Sequence, residues 1–204
     1  MRRFLFLLVL PLVLLVGCAF QEPTTDASAV DLGNAVAESQ PGDFIDGMRP
    51  LSADEALDTS KELEDYLLAA YGLERSDWID AAVAYSEGFQ ANELAVIQLS
   101  DQADVQAAEQ GLSAYVERRK AEFTGYAPEE AAMLDDALLL RQGHWLLLAV
   151  CPDPPAAKAA FEARFQGDVQ SVSQSVTVEM DDSPPPLELP RYDTGPVVEA
   201  YRTG

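Results

Sequence analysis

Polar and apolar positions change period several times along this chain, and each change marks an element. Ser52-Ala53-Asp54-Glu55 has the form of a capping box, with Ser52 as N-cap and Glu55 three residues on. Ala56, Ser60, Leu63, Leu67 and Ala70 then share one stripe, which predicts a helix to about Ala70, stopped at Tyr71-Gly72. Trp78 to Ser86 and Glu93 to Leu99 predict two strands joined through a turn at Glu87-Gly88. Ser100-Asp101 opens a long helix to about Thr124. Val105, Ala108, Leu112, Tyr115 and Phe123 mark its inner face, and the Arg119 stem lies along the edge. Arg118 and Lys120 fall on its wet side, so the basic run reads as a solvated face. Gly125 ends that helix and Pro128-Glu129-Glu130 starts a short one. Asp136 to Arg141 and His144 to Val150 predict a hairpin turning at Gln142-Gly143. Asp153-Pro154 opens a last helix, packed through Ala157, Ala160, Phe161 and Phe165 and ended by Gly167.

The order α-β-β-α-β-β-α predicts one α+β domain over residues 51–167. Its sheet is expected to be antiparallel and four-stranded, made of two hairpins and packed with about three helices. The second hairpin is apolar on both sides. Its turn sets Leu140 opposite Trp145 and Leu138 opposite Leu147, with Leu139 and Leu146 on the other side. A sheet with one wet face alternates instead. Either helices cover both faces, or the face carrying Leu139, Leu146 and Leu148 meets a protein partner or a second copy of the chain.

The flanks differ from this core. Residues from Ala19 to about Pro50 carry Pro, Gly, Ser, Thr and Asp without a sustained period, which predicts a flexible linker over 18–50. Residues 168–204 read as an acidic, Pro-rich tail, extended and largely disordered, with an optional edge strand at Ser171–Glu179. At the start, Arg2 and Arg3 precede an apolar run from Phe4 to Val16, broken only by Pro11. That run falls short of the roughly 20 residues a spanning helix needs. It suits a signal-peptide core of about 7–15 residues. Cys18 follows Leu15-Val16-Gly17 directly, which resembles the lipobox of bacterial lipoproteins. The resemblance implies removal of residues 1–17 and a diacylglyceryl group on the Cys18 thiol. An ordinary secretory leader with an incidental cysteine, or an uncleaved anchor, is the alternative. Two acyl chains suffice for stable membrane residence.

Charge narrows the partners. The 204 residues carry a net charge of −22, and loss of Arg2 and Arg3 with the leader takes it to −24. Nucleic acid is excluded as a partner, because its backbone calls for Lys and Arg. Direct docking on anionic lipid is disfavoured for the same reason. The expected partners are the membrane, through lipid on Cys18, and an envelope protein or a second copy of the chain.

Candidate chemistry is sparse. With Cys18 in lipid, Cys151 has no disulfide partner, and its place after Leu146 to Val150 reads as a buried, inert thiol. The single histidine, His144, reads as a turn residue. There is no phosphate-binding glycine loop, nucleophile elbow, CxxC or HExxH, and no cofactor or metal is expected. Glu129-Glu130, Asp135-Asp136 and Asp181-Asp182 are adjacent acids, which do not converge when they lie in a strand. No catalytic residue is assigned, and the balance leans away from an enzyme.

One family resemblance covers about half of the chain. It rests on the strand Ala91-Asn92-Glu93-Leu94-Ala95-Val96-Ile97 and on Phe123-Thr124-Gly125-Tyr126-Ala127-Pro128 at the end of the long helix. It continues through Leu134 to Gly143-His144-Trp145-Leu146-Leu147. From Leu57 to about Phe165 the chain resembles the bacterial lipoprotein family known as domain of unknown function 4358. That resemblance implies a lipoprotein and no particular activity. The expected function is a membrane-tethered, extracytoplasmic binding or accessory module for envelope components. The alternative is a small extracytoplasmic hydrolase using convergent carboxylates.

Overall fold

A computed structural model describes residues 22–42, 44–53 and 59–166. Cys18, the leader before it and the tail from 168 onward lie outside the described residues.

Along the chain the elements are α1 (Ala29–Glu38), β1 (Arg49–Ser52), α2 (Ser60–Tyr71), a single 3-10 turn (Arg75–Asp77), β2 (Trp78–Tyr85) and β3 (Glu93–Leu99). There follow α3 (Val105–Thr124), α4 (Pro128–Asp135), β4 (Leu138–Gln142), β5 (Trp145–Val150) and α5 (Pro154–Glu162). The class is α+β, as expected. The sheet has five strands in the order β1-β2-β3-β5-β4, every neighbour antiparallel. The fifth strand and two further helices correct the four-stranded, three-helix expectation.

The extra elements come largely from the segment read as linker. Ser28 caps α1 through a capping box with Asp31, and Leu32 and Val36 fall one turn apart on its buried face. The Asp80 carboxylate on β2 accepts the Ala29 amide at 2.7 Å, satisfying an open donor at the helix start. Gln40 is tied to Asp153 by two bonds: its Nε2 donates to the Asp153 carbonyl, and its Oε1 accepts the Asp153 amide. Thr24 and Gln166 exchange backbone bonds at 3.1 and 2.9 Å. Residues 22–50 therefore contribute a helix and half an edge strand to the fold. Pro50 is tolerated in β1 because this strand lies at the sheet edge.

Residues 54–58, over which the capping box expected at Ser52 would form, lie outside the described residues. Ser52 pairs with Ala82 as the last residue of β1. The helix begins at Ser60, and the Thr59 hydroxyl donates back to the Ser52 carbonyl. Gly72 closes α2 as expected, in the left-handed conformation at φ 74°. The N-cap of α3 is Asp104 rather than Ser100-Asp101, and its carboxylate accepts the Ala107 amide at 3.0 Å.

The β4–β5 hairpin forms, with its register shifted from the one expected. Its turn is Gly143-His144, with Gly143 at φ 58°, so Gln142 pairs with Trp145 and Leu140 with Leu147. Leu139 meets Leu148 rather than Leu146. The slip is two residues, so each side chain keeps its face.

Both faces are covered from within the chain. Leu51, Ala81, Val83, Ala95, Ile97, Leu146, Leu148 and Val150 form one core with α2, α3 and α4. Leu94, Val96, Leu140, Trp145, Leu147 and Ala149 form another with α1 and α5. Leu146 and Leu148 are buried, and the partly buried Leu139 packs on the same core. The face offered as a partner surface is thus interior, because three helices fill it. Doubly covered strands need not alternate, which is why β5 reads as a continuous apolar run.

Candidate functional site

Alternation along β3 puts Glu93 on the same side as Ala95 and Ile97, facing the core under α2 and α3. An acid there is 1% exposed. Its carboxylate is met from both helices. Tyr66 and Tyr71 of α2 donate to Oε1, the first at 2.9 Å, and Tyr115 of α3 donates to Oε2 at 2.5 Å. Arg119, one turn beyond Tyr115, places Nη1 at 3.7 Å from Oε2 and 3.0 Å from the Tyr115 hydroxyl. Its Nη2 donates to the Gln90 carbonyl, fixing the guanidinium to the β2–β3 loop.

The helices are close enough to build this cluster because of Gly111. A Cβ on it would sit 2.1 Å from the Tyr71 carbonyl oxygen. Gly111, Tyr115 and Arg119 follow at helical spacing, so one stripe of α3 supplies the close approach, a hydroxyl and the cation. The rings pack as well as bond: Tyr71 meets Tyr66 and Tyr115 edge-on, and Tyr66 stacks on Tyr85 with centroids 4.6 Å apart.

Burial raises the Glu93 pKa above its usual range, against the lowering pull of the three tyrosine hydroxyls and Arg119. The protons agree with that direction. The Tyr66 and Tyr115 hydroxyls also touch each other at 2.9 Å, so three hydroxyl protons serve four oxygen–oxygen contacts. A proton on Glu93, given to the Tyr66 oxygen, lets the Tyr66 hydroxyl turn to Tyr115 and serves the fourth contact. Burial also raises all three tyrosines, with Glu93 adding to it, so their hydroxyls stay protonated donors.

Above this cluster lies a groove of about 510 Å³. Tyr66 of α2 and Tyr115 and Arg119 of α3 belong to both groove and cluster. Arg118 crosses its wall, donating from Nη2 to the Ala70 carbonyl at 3.1 Å, with its guanidinium 5.3 Å from the Tyr115 ring. Tyr85, residues 86–88 and Tyr126 close one end. Beside that end Phe89 and Tyr126 meet edge-on while 78% and 55% exposed, leaving an aromatic pair in water.

The two residues singled out in the sequence for chemistry lie elsewhere. Cys151 is free and buried, and burial pushes its thiol up to about 11, so it is not a nucleophile at neutral pH. His144 sits in the β4–β5 turn, its Nδ1 4.0 Å from Asp101. Among the described residues no group of three His, Cys, Asp or Glu could hold a metal ion. No helix among them is long and apolar enough to cross a membrane. Sequence reasoning missed the Glu93 cluster. The signal was an acid at an inward strand position, with tyrosines on the inward stripes of the helices on either side of it in the sequence.

The fold and site define an α+β module whose polar groove sits over a buried carboxyl. Residues 52–151 match the model of a family described as domain of unknown function (DUF4358), and over that span the chain resembles this family. The matched span contains every residue of the cluster and groove, and it leaves out α1 and α5. No curated protein and no solved structure matches the chain.

Proposed function

We propose that this protein is a lipid-anchored, extracytoplasmic binding module, held to the membrane through Cys18 and binding an envelope component in the groove between α2 and α3. The observation that carries the binding half is the Glu93 cluster. A buried carboxyl, three tyrosines and an arginine are assembled under an open groove, at a desolvation cost that the fold alone does not call for. Such buried arrays rigidify what lies above them, and rigid aromatic and guanidinium walls suit recognition. The tether rests on the basic start, the apolar run to Val16 and Cys18.

Binding is preferred to hydrolysis because both Glu93 oxygens already accept tyrosine protons, from Tyr71 and Tyr115, and Arg49 engages Glu87 at 3.2 Å, which leaves Glu122 on the groove wall without a second carboxylate to act with. The tether is tested by mass spectrometry of the mature N-terminal peptide from isolated membranes. Diacylglyceryl on Cys18 with residues 1–17 gone is the expected result, with Cys18→Ser released as folded, soluble protein. An unmodified Cys18 in the membrane fraction overturns the anchor. The groove is tested by replacing Tyr126 and Phe89 with serine. Binding of the envelope component should fall about tenfold or more, as for aromatic anchors at recognition sites; unchanged binding moves the site elsewhere.

A further inference from the structure

The chain is strongly acidic, and most of its described cations are taken. Of the described lysines and arginines, Arg49, Lys61, Arg75, Arg119, Lys120, Arg141 and Lys158 each have a carboxylate within 4.0 Å. Arg118 has none, and it lines the groove. Its single protein hydrogen bond, from Nη2 to Ala70, holds the guanidinium across the wall, and the rest of its donor fork finds no acceptor among the described residues. A held guanidinium with a free edge is a carboxylate receptor, because two parallel N–H bonds fit one carboxylate.

We infer that the groove takes a small acidic sugar, a ring bearing one carboxylate, with the carboxylate on Arg118 and the ring against the tyrosine walls. This rests on the groove being the binding site. Three features fix the ligand class. Glu87 and Glu122 also line the groove, and the chain carries −22 overall, so a doubly charged phosphate is repelled about twice as strongly as a ligand with one carboxylate. Tyr126, 55% exposed, and the side of Tyr85 turned away from Tyr66 offer aromatic surface to the groove, which suits the apolar C–H face of a pyranose. The volume of about 510 Å³ is on the scale of small-molecule sites and leaves room for one or two sugar rings.

The test is an NMR titration of the full-length Cys18→Ser chain with four probes: methyl β-D-glucuronide, methyl β-D-glucoside, benzoate and inorganic phosphate. The glucuronide is expected to shift signals of the groove residues and to bind at least tenfold more tightly than the other three. Arg118→Gln should lose that margin. Arg164→Gln, a cation also without an ion pair but outside the groove, should keep it. Glucoside binding equal to glucuronide removes the carboxylate and leaves the groove reading standing. Benzoate or phosphate binding as tightly as glucuronide replaces the sugar with an aryl acid or a general anion, and overturns the inference. If no probe moves a groove signal, the inference falls, and the Tyr126 and Phe89 serine variants decide the groove reading separately.

Discussion

Glu93 sits where an alternating strand would place another alanine or isoleucine, and its proton makes stability depend on pH. Its folded pKa is raised from 4.5, chiefly by burial. Below that value the folded and unfolded chains both hold the proton. As pH rises through it the unfolded chain releases its proton first, so the native state loses stability until Glu93 also ionises in place. Glu93→Gln is neutral throughout. The stability of wild type relative to Glu93→Gln should therefore fall as pH rises above 4.5, as read from urea unfolding midpoints across a pH series. A constant difference, or one that grows, contradicts a raised pKa. A buried amide tells the reverse story. Gln142 is 1% exposed, and neither its Oε1 nor its Nε2 has a partner among the described residues. Leucine or methionine there removes two unpaired polar atoms at similar volume, and is expected to stabilise the chain by about 1 kcal/mol or more in the same assay. None of this was legible at single positions: an acid opening a strand and a glutamine beside a turn glycine both read as solvated ends. What betrays them is register, which puts Glu93 in line with Ala95 and Ile97.

Among the elements, those with one long apolar stripe were plain in the sequence. β3 runs from Glu93 to Leu99 as expected, α3 ends at Thr124, and Leu63 and Leu67 are buried on α2, with Tyr71, read as part of the stop, buried in place of Ser60 and Ala70. Helix α1 was hidden by composition. Its surroundings are rich in turn residues, and its capping box uses Asp31 where the familiar pattern has Glu or Gln. The β4–β5 register was missed because Gly143 takes the first turn position rather than the second, while the faces survived because the slip was even. Two substitutions test the corrected architecture. Leu32 is fully buried under α1, so Leu32→Ala should cost about 2–5 kcal/mol, where a linker position would cost less than about 0.5. Gly111→Ala has no room, with backbone of α2 at 2.1 Å from the new methyl. Helices α2 and α3 must part, at roughly 1–3 kcal/mol, and the hydroxyls of Tyr71 and Tyr115 must part with them. Thermal unfolding reads the first effect. A change in tyrosine fluorescence of the still-folded variant reads the second, and its absence means that the cluster does not depend on the helix crossing.

Across the whole molecule, the strap at Thr24 decides how a lipid on Cys18 would present the groove. A linker over 18–50 would let the domain roam far from the bilayer. Thr24 is instead paired to Gln166, so five residues lie between the lipid site and that pairing, a reach of at most about 22 Å. The strap also has a definite end. The Pro23 carbonyl lies 3.3 Å from where a Cβ on Gly143 would sit, which puts it beside the β4–β5 turn. β3 pairs Gln98 with Trp145 next to that turn and Glu93 with Val150 at the other end, so the groove and the strap occupy opposite ends of the sheet. A body this acidic is also pushed off an anionic surface within a Debye length of about 8–10 Å. Short strap and repulsion together should aim the groove away from the lipid. Two cysteine variants measure this, because Cys151 is too buried and too weakly acidic to label and, on the proposed anchor, Cys18 is taken up by lipid. Asp101→Cys sits near the β4–β5 turn on a side chain 97% exposed, and Phe89→Cys sits at the groove end. In vesicles carrying a headgroup quencher, a fluorophore at 101 should be quenched more than one at 89, and added salt should narrow the gap as the repulsion is screened. Equal quenching at both sites would mean that the body tumbles freely on its tether, and stronger quenching at 89 would turn the groove toward the membrane.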